Sequence, residues 1–313
     1  MNISKNLPKG KTGGYIALCI TSIVWGTTWV ASKIAVTDMP ALQMASIRQF
    51  FGGSSLVLFF LLYKKIGLPT KQQFGWLLMM AFLMFVMANG LSTWSLNYIP
   101  TGLSALIGAL YPLSVVIIQR LFFKNRNMTV LTFVGLLLGI TGIGIVFYEN
   151  AFQHHGDGFL FGVMLSVIAM LSWSVGTIFI VRNKLKMNPY YATGWQMLIS
   201  SVMLYILTHL FQPTIPLQDI TARSWMAIAY LVVAGSLLAF VAFIYSMKKL
   251  PPALSSLYAY INPLVAMITA AIVLGEKLTM NILWGAIVTL IGVFLVNYSI
   301  KRNQEKVIAE PEL

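Results

Sequence analysis

One arginine lies deep inside an apolar stretch and is the residue there best suited to bind an anion. Arg48 falls about eight residues inside a run that extends from 40 to 63, roughly 12 Å at 1.5 Å per residue. An unpaired arginine at this depth in lipid is unfavourable, so it should face a cavity or a partner group. Arg48 is therefore either the partner of a carboxylate or a structural residue that bonds backbone carbonyls or extends towards the lipid headgroups.

Other polar and aromatic side chains lie at similar depths in neighbouring apolar runs. Trp25 and Trp173 occupy corresponding places in the two halves of the chain, where they could line a cavity or pack between helices. The remaining cavity candidates are Thr28, Asn89, Thr93, Thr177, Tyr258 and Asn262, with Asn89 and Asn262 favoured. Because buried polar groups need partners, hydrogen bonds between helices are the alternative for all of them.

Glu276 lies in a short polar turn, Gly275-Glu276-Lys277, between the last two apolar runs. It could bind a cation or a cationic solute at an outer gate. We favour a structural role, in which its carboxylate caps the start of the last helix. A negative charge there suits the positive end of the helix dipole.

The chain that carries these residues is too apolar for a soluble protein. Hydrophobic residues make up 58% and charged residues 9% of the sequence, whereas soluble domains carry about 25% charged residues. A membrane-spanning helix needs about 20 mostly apolar residues. Ten segments qualify: 15–36, 40–63, 74–96, 101–122, 129–148, 158–181, 190–211, 224–247, 251–274 and 279–299. We therefore predict an all-α integral membrane protein with ten transmembrane helices.

The basic residues are distributed unevenly between the two sides of the predicted helices. A net charge of +13 would suggest a nucleic-acid partner in a soluble protein. Here the lysines and arginines lie in short loops, so the lipid bilayer is the expected partner and nucleic acid is not. Apart from Arg48, only Lys33, Arg223 and Lys277 fall on one side. The positive-inside rule then predicts a multi-pass protein of the cell (inner) membrane with both termini in the cytoplasm.

The sequence contains an internal repeat. Residues 95–113 align with residues 246–264, and the alignment pairs prolines 100 and 251 as well as prolines 112 and 263. Each copy holds five predicted spans, an odd number, so the second copy enters the membrane from the opposite side. We predict two inverted five-helix repeats, 15–148 and 158–299, between cytoplasmic segments 1–14 and 300–313, the last expected to fray. Inverted repeats are typical of secondary transporters, whose halves rock about a midplane site.

The second copy resembles the EamA family of the drug/metabolite transporter superfamily. The matching positions are Pro251, Ser255, Pro263, Leu264, Gly275, Glu276, Lys277, Leu278, Thr279, Gly285 and Gly292. Trp25-Gly26-Thr27 and Arg48 look like the first repeat of that family, although Asn125-Arg126 replaces Gly-Glu-Lys at the turn of the first copy. The resemblance implies the fold and the transport of amino acids, other metabolites or drugs, and it favours export over uptake.

The acidic residues bear on energy coupling. No Asp, Glu or His lies deep in a predicted span, whereas proton-driven transporters usually carry such a relay. We therefore expect a facilitator or an exchanger, and no enzyme, because no deep catalytic constellation exists. Cys19 is the only cysteine and His154-His155 lacks companion ligands, so neither a metal nor another cofactor is predicted.

These observations predict a secondary transporter that moves a small organic metabolite, an amino acid or a similar solute, by alternating access, most simply as an exporter. The alternatives are an exporter of cationic or hydrophobic drugs, and a membrane scaffold or assembly protein that transports nothing. A small-molecule solute and the bilayer are the expected partners. The sequence leaves the oligomeric state open and is compatible with a monomer.

Overall fold

The computed structural model describes residues 12–123, 129–152, 158–182, 187–250 and 257–309, and throughout these ranges the regular structure is helical. The helices are α1 Thr12–Asp38, α2 Ala41–Tyr63, α3 Lys71–Ser95, α4 Thr101–Gly108, α5 Tyr111–Phe123, α6 Val130–Phe152, α7 Phe159–Arg182, α8 Pro189–Phe211, α9 Ala222–Lys249, α10 Tyr258–Leu274 and α11 Met280–Ala309. The all-α prediction is confirmed for this part of the chain.

Most of these helices are long and apolar enough to cross a membrane. Eight candidates meet both conditions by length and composition: α1, α2, α3, α4 together with α5, α7, α8, α9 and α11. Two shorter apolar stretches of the described residues, Val130–Val146 within α6 and Tyr258–Leu274, which is α10, lie where the fifth and ninth spans were predicted. Large apolar side chains such as Phe122 and Ile272 are about three-quarters exposed, 75% and 77%. An outer surface of this kind suits lipid rather than water.

The last helix extends further than the sequence analysis predicted. We expected a frayed tail from Lys301 onwards, but α11 continues to Ala309. The added segment contains Gln304, Glu305 and Lys306, which are good helix formers. Helix propensity therefore carries the helix past the end of the apolar run, and the expectation of fraying was wrong for 301–309.

Contacts between helix ends show that two pairs of neighbouring helices run in opposite directions. At the end of α1 the Asp38 carboxylate accepts a hydrogen bond from Thr221, which directly precedes α9 (2.8 Å). The backbone N–H of Thr101, the first residue of α4, donates to Glu276, which follows α10 (2.8 Å). These contacts lie at one end of the bundle, called the Asp38 end below, and they make α1 antiparallel to α9 and α4 antiparallel to α10.

Two pairs of helices meet at glycines with their backbones in contact. A Cβ on Gly142 of α6 would lie 2.4 Å from the backbone nitrogen of Thr289 in α11, and one on Gly292 would lie 2.4 Å from that of Gly139. Small residues permit such close approach of membrane helices. The small-residue faces formed by glycines 135, 139 and 142 of α6 and glycines 285 and 292 of α11 therefore pack against each other within the chain. Gly53 of α2 similarly approaches the Gly194 carbonyl oxygen of α8.

Besides a π-helical segment at the end of α2, Phe59–Tyr63, two helices contain longer ones where they pass the centre of the bundle. The segment in α3 covers Ala81–Gly90 and the one in α9 covers Leu231–Leu238. In each segment one carbonyl also accepts a hydrogen bond from a crossing helix. Ser172 Oγ of α7 donates to the Leu83 oxygen (2.9 Å), and Trp25 Nε1 of α1 donates to the Gly235 oxygen (3.1 Å). Such segments occur frequently at functional sites.

The predicted fourth span is two helices rather than one. α4 ends at Gly108, and α5 begins at Tyr111, directly before Pro112. Proline has no N–H to donate, and its ring clashes with the carbonyl four residues earlier, here that of Gly108. The chain therefore breaks at this point, halfway across the bundle, and the break lies against the cavity described below.

Candidate functional site

A cavity of about 230 Å³ lies among the helices, in the middle of the bundle and towards its Asp38 end. Trp25, which lies at the midpoint of α1, marks its deep side, and Ser32 and Leu96 mark the side nearer the Asp38 end. Helices α1, α2, α3, α4, α5, α7, α8, α9 and α10 contribute to its wall. The wall thus combines side chains from both halves of the sequence.

Arg48 lines this cavity from α2, and its guanidinium has hydrogen-bond donors to spare. The side chain is only 9% exposed, and its Nε donates to Ser236 Oγ of α9 at 3.2 Å. Within the described ranges neither terminal nitrogen of Arg48 makes a hydrogen bond. Space for the group comes from Gly235, where a Cβ would lie 3.3 Å from Nη2. No acidic side chain is among the residues that line the cavity, so the positive charge has no counter-ion there.

Two amide side chains extend the polar part of the wall beside Arg48. Gln49 Nε2 donates to Asn89 Oδ1 at 2.8 Å, which links α2 to the π-helical segment of α3. Gln49 is 1% exposed, and its Oε1 has no hydrogen-bond partner. Both amides line the cavity. The polar patch therefore offers cationic donors from Arg48 and an unused acceptor from Gln49.

Aromatic rings form the deep wall of the cavity. Trp25, Phe240 and Tyr258 line it, and Phe243 packs behind them with its ring centroid 5.0 Å from Trp25 and 5.1 Å from Tyr258. The Tyr258 hydroxyl donates to that of Tyr111 at 3.4 Å, so the rings join α1, α9, α10 and α5. This wall suits an apolar or aromatic part of a solute and separates the cavity from the end opposite Asp38.

The structure brings together nearly all of the predicted cavity residues. Those that line the cavity are Arg48, Trp25, Thr28, Asn89, Thr93, Trp173, Tyr258 and Asn262. Asn262 Oδ1 accepts a hydrogen bond from Trp29 Nε1 at 3.0 Å, which fixes that amide. Thr177 is not among the lining residues, and its hydroxyl donates to the Trp173 carbonyl in its own helix at 2.8 Å.

Sequence reasoning missed two residues of the polar patch. Gln49 was not considered, although a second polar residue directly after Arg48 at the same depth was a usable signal. Gly235 has no such signal, because its role depends on the distance between α9 and the arginine of α2.

Glu276 caps a helix, but not the one that we expected. Its carboxylate accepts hydrogen bonds from the backbone N–H groups of Thr101 (2.8 Å) and Gly102 (3.2 Å), the first two residues of α4. The start of α11 is capped instead by the hydroxyl of Thr279, which accepts from the Ile282 N–H at 3.3 Å. The reason is local, since Gly275 adopts a left-handed conformation (φ 69°) that turns the chain after α10.

A lysine lies close to this cap. Lys33 of α1 donates through Nζ to the carbonyl oxygen of Leu96, a cavity residue, and it interacts electrostatically with Glu276. The turn after α10, the start of α4 and the second half of α1 are therefore tied together at the Asp38 end. This contact network borders the cavity on that side.

Comparison with known families decides the broad identity of the chain. The model of the EamA-like transporter family matches residues 12–148 and again residues 160–298. The chain belongs to the EamA-like transporter family. Together with the long apolar helices, this membership makes it a multi-pass membrane protein of a transporter family.

Two relatives of the chain are named as transporters. The chain is similar to the "Uncharacterized inner membrane transporter YedA" of Escherichia coli (strain K12), with 31% identity over 84% of this chain and 83% of the relative. It is also similar to the "Uncharacterized transporter YoaV" of Bacillus subtilis (strain 168), with 22% identity over 92% and 98% of the two chains. A crystal structure with 14% identity superposes with a TM-score of 0.62, covering 91% of this chain and 97% of that one, which shows a shared fold.

Proposed function

We propose that this EamA-like protein is a secondary transporter that exports a small organic metabolite bearing a carboxylate, an amino acid or a similar solute, by alternating access. The observation that carries the proposal is the buried guanidinium of Arg48. It faces the cavity with two terminal nitrogens free of protein partners among the described residues. A planar guanidinium of this kind binds a carboxylate through two parallel hydrogen bonds.

The size and charge of the cavity favour a metabolite over a drug. Its volume of about 230 Å³ lies below the ~300–1,000 Å³ typical of sites for drug-sized ligands. A cationic drug would meet the positive charge of Arg48 without any acidic side chain in the lining. The aromatic wall formed by Trp25, Phe240 and Tyr258 can hold an apolar group attached to the carboxylate.

The packing of the helices supports ten spans in two inverted repeats. If the halves are exchanged, α1 corresponds to α7, α2 to α8, α3 to α9, α4 with α5 to α10, and α6 to α11. Under this exchange the α1–α9 contact corresponds to the α7–α3 contact, and both are observed. The α1–α10 contact corresponds to the contacts of α7 with α4 and α5, and these are observed as well. The α2–α8 and α6–α11 pairs are converted into themselves.

Two further observations agree with this symmetry. The two π-helical segments that border the cavity lie in α3 and α9, which correspond to each other. The third segment, Phe59–Tyr63 in α2, lies away from the cavity. The family model matches the chain twice, once in each half. Two halves that enclose one central site can rock about it and expose it to either side of the membrane in turn.

The sidedness and the coupling of transport are part of the proposal. The basic loops favour a cytoplasmic location for both termini, which would make the Asp38 end face outwards, and the family resemblance favours export. No aspartate, glutamate or histidine is among the residues that line the cavity. A facilitator or an exchanger, driven by the solute gradient, therefore fits the site better than a proton relay does.

Reconstitution of the purified protein into liposomes tests this function. Radiolabelled leucine, 4-methylpentanoate and the lipophilic cation tetraphenylphosphonium are assayed for exchange against internal unlabelled solute. We expect protein-dependent movement of carboxylates and none of the cation beyond protein-free liposomes. Movement of the cation alone would support the drug exporter, and movement of no solute in a broad metabolite panel would support the scaffold.

A further inference from the structure

Gln49 presents a buried acceptor that binding of a carboxylate to Arg48 does not use. Three buried side-chain atoms among the described residues lack a hydrogen-bond partner: Gln49 Oε1, Thr101 Oγ1 and Trp195 Nε1. Of these residues only Gln49 lines the cavity. Buried polar atoms are nearly always paired, and an unpaired one calls for an explanation.

The amide of Gln49 is held in one orientation, which makes its free oxygen selective. Its Nε2 donates to Asn89 Oδ1 at 2.8 Å, and Asn89 belongs to the π-helical segment of α3. To offer its N–H groups to the solute, the Gln49 amide would have to turn together with the amide of Asn89. What it offers is an acceptor, which pairs with an N–H or O–H donor and not with a carboxylate oxygen.

The position of Gln49 directly after Arg48 sets which part of the solute can reach it. Both side chains project from the same turn of α2, and both line the cavity. We therefore expect a small solute whose carboxylate lies on the guanidinium to place its adjoining carbon near the amide. A donor on that carbon would satisfy Gln49 Oε1, whereas a plain hydrocarbon chain would leave the oxygen unpaired.

We propose that Gln49 is a specificity-determining residue that recognises a hydrogen-bond donor beside the carboxylate of the solute. The class selected is that of 2-amino and 2-hydroxy acids, in preference to unsubstituted carboxylates of the same size. This inference rests on the proposed transport of carboxylates. A site built to hydrogen-bond a group discriminates strongly against the analogue that lacks it, because the buried partner stays unpaired. We expect a preference of about tenfold or more.

Three solutes with one carbon skeleton test this selection: labelled leucine, 2-hydroxy-4-methylpentanoate and 4-methylpentanoate. Exchange rates at limiting concentration are compared in liposomes that contain the wild-type protein or Gln49→Met, which keeps the length of the side chain and removes the acceptor. Wild type should move the first two about tenfold faster than the third, and Gln49→Met should bring the three rates together. The control Gln196→Met changes a buried glutamine of α8 that does not line the cavity and should keep the preference.

A second variant covers the case in which Gln49→Met does not fold. Asn89→Leu removes the group that orients the amide and should reduce the preference in the same direction. If either folded variant still prefers leucine and 2-hydroxy-4-methylpentanoate over 4-methylpentanoate, or if the wild type shows no such preference, the role of Gln49 is wrong. Carboxylate transport through Arg48 is not affected by that result. Movement of none of the three solutes by wild type instead overturns the proposed function, and this inference with it.

Discussion

Replacement of Arg48 by lysine separates charge from geometry at the centre of the cavity. The variant keeps a positive charge but loses the planar fork whose terminal nitrogens are free for a carboxylate, and it also loses the bond from Nε to Ser236. Loss of one charge-assisted hydrogen bond to the solute costs about 1.5–3 kcal/mol. Since ~1.4 kcal/mol corresponds to a factor of ten, the apparent KM for a carboxylate should rise by roughly 10- to 150-fold.

The assay is exchange of labelled leucine in liposomes, with Arg48→Ala as the complete deletion and Arg223→Lys as the matched control. Arg223 is exposed at the start of α9, so the same chemical change there should leave the KM unchanged. Arg48→Ala should abolish transport of the carboxylate while the protein still inserts and folds. If Arg48→Lys and Arg48→Ala both exchange leucine as well as the parent does, Arg48 is structural and the reasoning about carboxylate binding is wrong.

Three further predictions concern packing, capping and topology. Gly142→Ala places a methyl group against the backbone of α11 and should lower the melting temperature in detergent. In the control Gly144→Ala of the same helix the added methyl group meets no atom within 4 Å, so the melting temperature should not fall, and equal melting temperatures of the two variants would refute the close contact. Glu276→Ala removes the cap of α4, which should cost about 0.5–2 kcal/mol and speed hydrogen exchange of the first two α4 amides; unchanged exchange would show that the cap is dispensable. In a Cys19→Ser background, Lys65→Cys and Arg223→Cys should react with an impermeant reagent from opposite sides of the membrane, and labelling of both from outside intact cells would refute the predicted topology.

The helices and several of their contacts could be predicted from composition and spacing. Long apolar runs separated by short basic loops indicate spanning helices, and the observed helices cover the predicted segments within the described ranges. The glycines Gly135, Gly139 and Gly142 indicate close packing, because small residues on one helix face let a second membrane helix approach. Arg48 was identifiable for a similar reason, since a lone charge at that depth must face something polar.

Other features depend on which helices become neighbours, and the sequence does not state this directly. Glu276 accepts its hydrogen bonds from α4, whose first residue lies 175 positions earlier in the chain. Capping of the adjacent helix was the natural local expectation, and it was wrong because Thr279 fills that role. The π-helical segments could not be predicted either. The apolar residues of a run do not indicate where its backbone hydrogen bonds change from the α-helical to the π-helical pattern.

Accessibility of a single cysteine in the cavity tests the central claim, that one solute-binding cavity opens to both sides of the membrane. Ser92 lines the cavity from α3 and is partly exposed, and Ser92→Cys in the Cys19→Ser background supplies the probe. An impermeant thiol reagent is applied to right-side-out and to inside-out vesicles, with and without leucine. Alternating access predicts labelling in both preparations and protection by leucine that is lost with Arg48→Ala. Labelling from one side alone, or labelling that leucine does not slow, would contradict this account.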